Sequence, residues 1–138
     1  MAKPENIPVY GKDYYAWNYE EQTQMKHRVL RAYYRVYASK LGRSRNTLFF
    51  DCHGGCGAYI QSDGTLSYGS SILINSVAEQ VFANRPFTHN HIIICERDKG
   101  YFENLNKVLK DLGIYDKRII TYNKDYNDAL LDSSNKVA

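Results

Sequence analysis

The sequence predicts a three-layer α/β domain built on a parallel sheet. Apolar runs predict three short strands, at about residues 47–51, 89–96 and 118–122. Two of the runs are continuous rather than alternating, as expected for strands that are buried on both faces. Helical patterns separate the runs, and this alternation is typical of parallel sheets. Three strands make about half of a doubly wound sheet, so we expect the sheet to be incomplete within this sequence.

Length and composition are those of one globular domain. The chain has 138 residues, of which 43% are hydrophobic and 24% are charged, and this composition excludes a disordered chain. Residues 1–45 contain nine Lys or Arg against four Asp or Glu, whereas residues 46–138 contain nine against eleven. The basic excess favours an acidic partner such as nucleic acid, although a solvated basic helix face explains it equally well.

No part of the sequence has the pattern of a signal peptide or a membrane span. The N-terminus lacks an apolar core, and no run approaches about 18 apolar residues. We therefore expect a soluble, cytoplasmic protein without a membrane partner. The three cysteines are an odd number, and a disulfide framework is not expected in that compartment.

A long amphipathic helix is predicted from about Tyr14 to Leu41, ahead of the first strand. Apolar side chains recur there at spacings of three and four and form a stripe: Met25, Val29, Tyr33, Val36, Tyr37 and Leu41. Gly42 is predicted to end the helix. This helix and the segment before it make up residues 1–45, which are expected to pack with residues 46–138 as one domain.

The second part of the chain alternates strands and helices. Its predicted elements after the first strand are a glycine-rich turn, a loop at 58–69, a helix from Ser70 or Ser71 to about Arg85, a strand at 89–96, a helix at 101–112, a strand at 118–122 and a helix from about Tyr126. Either serine suits a helix N-cap, and Pro86 is expected to end that helix. Gly113 is predicted to cap the helix before it.

Polar residues follow each predicted strand. They are Asp51 with Gly55 and Gly57, then Glu96, then Asn123 and Asp125. Ligands bind open α/β sheets at the carboxyl ends of strands, and glycines there let the backbone approach closely. A carboxylate such as Glu96 offers two acceptors to two ribose hydroxyls, and Asp125 suits an exocyclic amine. The pattern predicts a nucleotide-like ligand, unless these residues only end strands and form a turn.

The segment FFDCHGGCGAY, with Gly69-Ser70 after it and then IIICERDKGYFENL, resembles the three-Cys-motif partner protein (TcmP) family. The resemblance covers roughly residues 15–130. The first motif of that family is similar to D-x-F-A-G-P-G, and here it stands as Asp51, His53, Gly54, Gly55, Cys56 and Gly57. His53 and Cys56 replace the family's usual Phe and Pro.

The resemblance implies a Rossmann-like domain that binds S-adenosylmethionine, as in methyltransferases. It implies that Gly55 and Gly57 pass under the methionine portion and that Glu96 holds the ribose. Asn123 or Asp125 would contact the adenine. Nucleic acid is then the expected substrate class. The sequence lacks a D/N-P-P-aromatic motif, which grips the target amine in many base methyltransferases, so no catalytic residue is predicted.

The main alternative is a non-catalytic nucleotide-sensing or protein-interaction module within a larger assembly. An open edge strand favours a partner protein, or further C-terminal sequence, that covers it. Separately, Arg28, Arg31 and Arg35 lie on one helix face, and several aromatic residues precede them in the sequence. Arginines combined with aromatic residues favour binding of single-stranded nucleic acid.

Three weaker alternatives remain open. Cys52, His53 and Cys56, with Cys95, are possible zinc ligands, but their spacing is unusual and free thiols are favoured, so no metal is predicted. A redox pair of Cys52 with Cys95 would need disulfide geometry. Asp51, Glu96 and Lys99 have the residue types of a nuclease site. A nicotinamide-binding reductase fits poorly, because Ile60 stands where the third glycine of its motif is expected.

Overall fold

The computed structural model of the chain describes residues 4–41, 45–83, 90–114 and 118–137, with side chains up to Leu131. Within these residues it has seven strands and four helices. The strands are β1 (Ile7–Pro8), β2 (Tyr15–Asn18), β3 (Thr47–Asp51), β4 (Ala58–Ile60), β5 (Leu66–Tyr68), β6 (Asn90–Cys95) and β7 (Ile119–Tyr122). The helices are α1 (Glu21–Leu41), α2 (Ser70–Phe82), α3 (Lys99–Asp111) and α4 (Tyr126–Val137). The chain is therefore a mixed α/β protein.

The predicted parallel sheet is confirmed. Its strand order is β3-β6-β7, and both pairs of neighbours are parallel. Successive side chains of a strand point to opposite faces, and β6 shows the consequence. Ile92 and Ile94 are buried in the larger core cluster with side chains of α1, α2 and α3. Ile93 packs on the other face with Ala129 of α4. Helices thus cover both faces, which explains the continuous apolar sequence of β6.

A second sheet, with the strand order β1-β2-β4-β5, was not predicted. Its strand β2 occupies residues that were assigned to the start of the long helix, so that part of the helix prediction is wrong. Tyr14 and Ala16 are buried while their neighbours are more exposed, which is the period of a strand. Parallel pairing of Trp17 with Tyr59 joins the N-terminal segment to the second part of the chain.

The predicted loop at 58–69 is wrong, because β4 and β5 form an antiparallel hairpin there. Its turn contains Asp63-Gly64, a dipeptide typical of hairpins. Gly64 has φ +86°, and its N–H donates to the Gln61 carbonyl at 2.9 Å. The Asp63 carboxylate accepts a hydrogen bond from the Thr65 N–H at 2.9 Å. We call residues 54–57, which connect β3 to this hairpin, the glycine turn.

Helix α1 has 21 residues and buries a different face from the predicted stripe. Its buried residues are His27, Tyr34 and Ala38. Of the predicted stripe, Tyr37 packs against the core, whereas Met25, Val29, Tyr33 and Val36 are between 56% and 69% exposed. Gly42, predicted to end this helix, lies outside the described residues. None of the described helices is long and apolar enough to cross a membrane.

The remaining helix ends were predicted in part. Gly69, rather than Ser70 or Ser71, is the N-cap of α2. The helix ends at Phe82, and Arg85, Pro86 and His89 lie outside the described residues. Gly113 is confirmed at the end of α3: it has φ +71°, and its N–H donates to the Lys110 carbonyl at 3.0 Å.

Candidate functional site

Asp51 ends β3, and two hydrogen bonds hold its carboxylate. Oδ2 accepts from the Ser70 hydroxyl at 2.8 Å, and Oδ1 accepts from the His53 N–H at 3.2 Å. Burial raises the pKa of Asp51, although these hydrogen bonds act in the opposite direction. The carboxylate therefore ties the start of α2 to the end of β3.

Hydrogen bonds fasten the glycine turn to the end of β6. The Gly54 N–H donates to the Cys95 carbonyl, and the Gly55 N–H donates to Glu96 Oε1, both at 2.9 Å. The Asp98 N–H donates to Glu96 Oε2 at 2.8 Å. A carboxylate has about four acceptor sites, and N–H groups of the described residues occupy two of them on Glu96. Glu96 is thus oriented by the backbone on both sides and retains capacity for further donors.

The glycines of the turn allow other side chains of the protein to pack closely against the turn. Gly57 has φ +92°, and a Cβ there would lie 2.8 Å from Leu105 Cδ1 on α3. Gly55 has φ +68°, and a Cβ there would lie 3.2 Å from the Trp17 ring. Both positive φ angles also disfavour any residue other than glycine. These contacts account for the two glycines without a ligand, so the predicted approach to a methionine portion stays a proposal.

Asn123 and Asp125 follow β7, and both are exposed. Asn123 Nδ2 donates to the carbonyls of Glu96 at 2.9 Å and Arg97 at 3.1 Å, so it holds the loop that follows β6. The Asp125 carbonyl accepts the Ala129 N–H at 3.0 Å in the first turn of α4. The Asp125 carboxylate makes no hydrogen bond to another described residue, so it is available to a ligand.

The three cysteines are free thiols. Cys52 is exposed, whereas Cys56 and Cys95 are buried. Cys56 donates to the Ala58 carbonyl at 3.2 Å, and Cys95 donates to the Lys124 carbonyl at 2.6 Å. Burial raises the pKa of Cys56 to about 11 and also raises the pKa of Cys95. In the described part of the chain, no three His, Cys, Asp or Glu side chains are grouped so that they could hold a metal ion.

Lys99 does not complete the nuclease alternative. It begins α3, and its Nζ lies 3.9 Å from Glu103 Oε1, one helical turn further on. The acid-x-lysine arrangement would require Lys99 on a strand beside Glu96, and its helical position rules out that arrangement.

Asn104 is a buried residue that the sequence did not single out. Its Nδ2 donates to the carbonyls of Tyr15 and Cys56, and its Oδ1 accepts the Tyr15 N–H, each at 2.8 Å. One side chain of α3 therefore joins β2 to the glycine turn. The only indication in the sequence was its position beside Leu105 on the apolar side of an amphipathic helix.

A second candidate site, the arginine cavity, lies between α1, the β4–β5 hairpin and the start of α2. It has a volume of about 290 Å³ and is lined by Tyr19, His27, Arg28, Arg31, Gln61, Leu66, Ser67, Tyr68 and Leu73. The third predicted arginine, Arg35, is not in the lining and donates to Gln80 Oε1 at 2.8 Å. Two of the three predicted arginines, Arg28 and Arg31, therefore line this cavity, and nucleic-acid binding by them stays a prediction.

Tyr19 and His27 form a polar pair in the wall of the arginine cavity. The Tyr19 hydroxyl lies 2.7 Å from His27 Nδ1, and the Tyr19 ring stacks on Tyr59 with centroids 5.0 Å apart. Burial lowers the pKa of His27, which favours its neutral form. Burial raises the pKa of Tyr19, while the positive charges of Arg31 and Arg28 act to lower it.

The structure brings most of the predicted ligand-binding residues together. Hydrogen bonds join the glycine turn, Glu96 and Asn123 at the carboxyl ends of β6 and β7. Asp51 lies at the carboxyl end of β3, where it pairs in register with Ile94 of β6, but its carboxylate is bonded to His53 and Ser70 instead. No protein-family model matches the chain, and neither a curated protein nor a solved structure matches it. The family resemblance therefore stays a prediction from the sequence.

Proposed function

We propose that this protein is methyltransferase-like, of the TcmP type, and binds S-adenosylmethionine at the carboxyl edge of a Rossmann-like parallel sheet. The observation that carries the proposal is the Glu96 carboxylate, fixed by the N–H groups of Gly55 and Asp98. Because its orientation is set before any ligand arrives, little ordering cost remains on binding. Two free acceptor sites suit the two hydroxyl donors of a ribose.

The other residues at this edge fit a nucleoside in different ways. The exposed Asp125 carboxylate is free to accept from an exocyclic amine of the base. Asn123 acts through Glu96, because it holds the Glu96 carbonyl in place. S-adenosylmethionine would supply an electrophilic methyl group. We propose nucleic acid as the class of methyl acceptor, since the basic excess lies in residues 1–45, and we assign no catalytic residue.

Thermal unfolding with S-adenosylmethionine and S-adenosylhomocysteine tests this proposal. Ligand at about a hundred times its dissociation constant is expected to stabilise the chain by about 2.7 kcal/mol. Glu96→Gln is expected to abolish most of this stabilisation, and Asp125→Ala to reduce it. Glu103→Gln, the same change at an exposed site on α3, is the matched control and is expected to retain it.

Two results would overturn the cofactor proposal. One is the absence of stabilisation at millimolar ligand. The other is equal stabilisation in Glu96→Gln and Glu103→Gln. Glu96→Gln alters an acceptor of the glycine turn, so circular dichroism of the free variant must first match that of the original chain. Asp125→Ala disturbs no hydrogen bond between described side chains, and it keeps the test interpretable if Glu96→Gln misfolds.

A second candidate function is a protein-interaction module, and the exposed apolar face of α1 favours it. Met25, Val29, Tyr33 and Val36 share that face. Beside the helix, β3 is an edge strand, and Leu48 on it is exposed. A partner that pairs with β3 would cover both features.

Sedimentation at increasing protein concentration tests the self-association form of this candidate. Association that Val29→Lys abolishes, and that the control Lys26→Gln leaves intact, would support an apolar interface on α1. A monomer at every concentration would remove self-association and leave only a partner of different sequence.

A further inference from the structure

The arginine cavity contains two positive charges that the described residues do not neutralise. Arg28 and Arg31 are exposed and line the cavity, and the lining includes no Asp or Glu. In the described part of the chain, ion pairs form at Lys12 and Lys99 but at neither of these arginines. Guanidinium groups bind phosphate through paired N–H donors, and a concave basic surface concentrates anions.

The rest of the lining offers groups that suit a base. Gln61 Nε2 donates to the Ser67 hydroxyl at 2.7 Å, and no described residue donates a hydrogen bond to Gln61 Oε1. Tyr19 and Tyr68 add aromatic surface. The volume of about 290 Å³ is just below the range of ligand pockets, which begins at about 300 Å³, and it suits one nucleotide rather than two.

We propose that the arginine cavity binds one nucleotide unit of a single-stranded nucleic acid, with its phosphate on Arg28 and Arg31. The aromatic surface would then contact the base, and Gln61 Oε1 would accept a base N–H. This inference rests on the proposed nucleic-acid class of substrate. It does not require cofactor binding at Glu96, which lies at the edge of the other sheet.

Fluorescence anisotropy with a short labelled oligothymidylate tests the inference. The double variant Arg28→Gln/Arg31→Gln is expected to bind about tenfold more weakly or worse, because two charge-assisted contacts are lost. Its slope of log affinity against log salt is expected to fall by about 0.7, because one phosphate of the strand is no longer neutralised. Neither arginine forms an ion pair with a described residue, so the melting temperature of the variant is expected to stay unchanged.

The matched control is Lys26→Gln/Lys40→Gln, which removes the same charge from exposed positions on the same helix, outside the cavity. It is expected to retain affinity within about threefold, since only long-range attraction is reduced. Equal losses in both double variants would overturn the inference, and so would the absence of binding by the original chain at low salt. Tighter binding of an oligoglutamate peptide than of oligothymidylate would also overturn it.

Thymidine monophosphate distinguishes a free nucleotide from a strand. Displacement of the probe at equal affinity supports the cavity and identifies a free nucleotide as its ligand, whereas much weaker displacement identifies the strand. Glu96→Gln is expected to leave oligothymidylate affinity unchanged. The nucleotide inference and the cofactor proposal can therefore fail separately.

Discussion

The glycine turn and the arginine cavity use their polar groups in opposite ways. At the turn, both oxygens of Glu96 accept backbone N–H groups from Gly55 and Asp98. In the cavity, Arg28 and Arg31 have no carboxylate partner within the described residues. Buried polar groups are costly unless they are paired, whereas exposed charges remain solvated without a partner. Substitutions in the glycine turn should therefore lower the stability of the fold more than substitutions in the cavity.

Gly57→Ala is expected to show the largest effect and tests how tightly the turn is packed. Its φ of +92° strains any L side chain, and the added Cβ would lie 2.8 Å from Leu105 Cδ1. We expect the free energy of unfolding, measured by urea denaturation, to fall by about 3 kcal/mol. Gly64→Ala is the matched control: its φ is +86°, but nothing lies within 4 Å of the new Cβ. A cost of only about 1 kcal/mol is expected there. Equal costs would show that Leu105 does not restrict the turn.

Asn104→Ala is expected to have the next largest effect, because it separates the turn from β2. The substitution leaves the Cys56 carbonyl and the N–H and carbonyl of Tyr15 without their side-chain partner. A fall of about 2 kcal/mol in the free energy of unfolding is expected in urea. Asn106→Ala, on the same helix, loses one hydrogen bond with Thr121 at 3.3 Å and is expected to cost less than about 1 kcal/mol. If Asn106→Ala lowers the free energy of unfolding as much as Asn104→Ala, the hydrogen bonds of Asn104 to β2 and the glycine turn contribute no more than the single hydrogen bond of Asn106.

The smallest effect concerns the pH dependence of the cavity wall. Burial lowers the pKa of His27 in the folded chain from its ordinary value of 6.5, so the unfolded chain binds a proton more readily. The stability that neutral His27 contributes is therefore complete above pH 6.5 and is lost as the pH falls through its folded-state pKa. His27→Phe is expected to remove this contribution, so that the unfolding free energy changes less with pH between 6.5 and the folded-state pKa of His27. Tyr19→Phe is expected to keep this pH dependence, because burial of His27 causes it. A flat profile in Tyr19→Phe would show instead that the Tyr19 hydroxyl causes it.

The strands of the parallel sheet were predictable because their sequences carry the information locally. Residues 47–51 and the isoleucines of β6 are apolar runs, which indicate strands. The prediction that both strands are buried is confirmed for β6 but is wrong for β3, which lies at the edge of its sheet and exposes Leu48. Strand β2 was not predictable, because its partner β4 lies about 40 residues further along the chain. Helix α1 has apolar residues on two faces. The face that is buried depends on which elements pack against the helix, and the spacing of apolar residues in the sequence does not show this.

The candidate sites were predictable to a similar extent. Asp51 and Glu96 could be identified because each is an acid at the end of a predicted strand. The carboxyl ends of parallel strands lie at one edge of a sheet, where ligands bind. The sequence could not show that backbone N–H groups already occupy part of Glu96, because those bonds depend on the path of the glycine turn. It also could not separate Arg35 from Arg28 and Arg31. That distinction depends on Gln80 of α2 and on the β4–β5 hairpin, where the sequence predicts a loop.

The central claim is that the chain has two independent binding sites of different chemistry. Calorimetric titration of S-adenosylhomocysteine and of oligothymidylate into Glu96→Gln and Arg28→Gln/Arg31→Gln tests it most directly. Glu96→Gln is expected to lose binding of S-adenosylhomocysteine and keep binding of oligothymidylate, and the double arginine variant is expected to do the reverse. Loss of both ligands in either correctly folded variant, or of neither ligand in both, would contradict it.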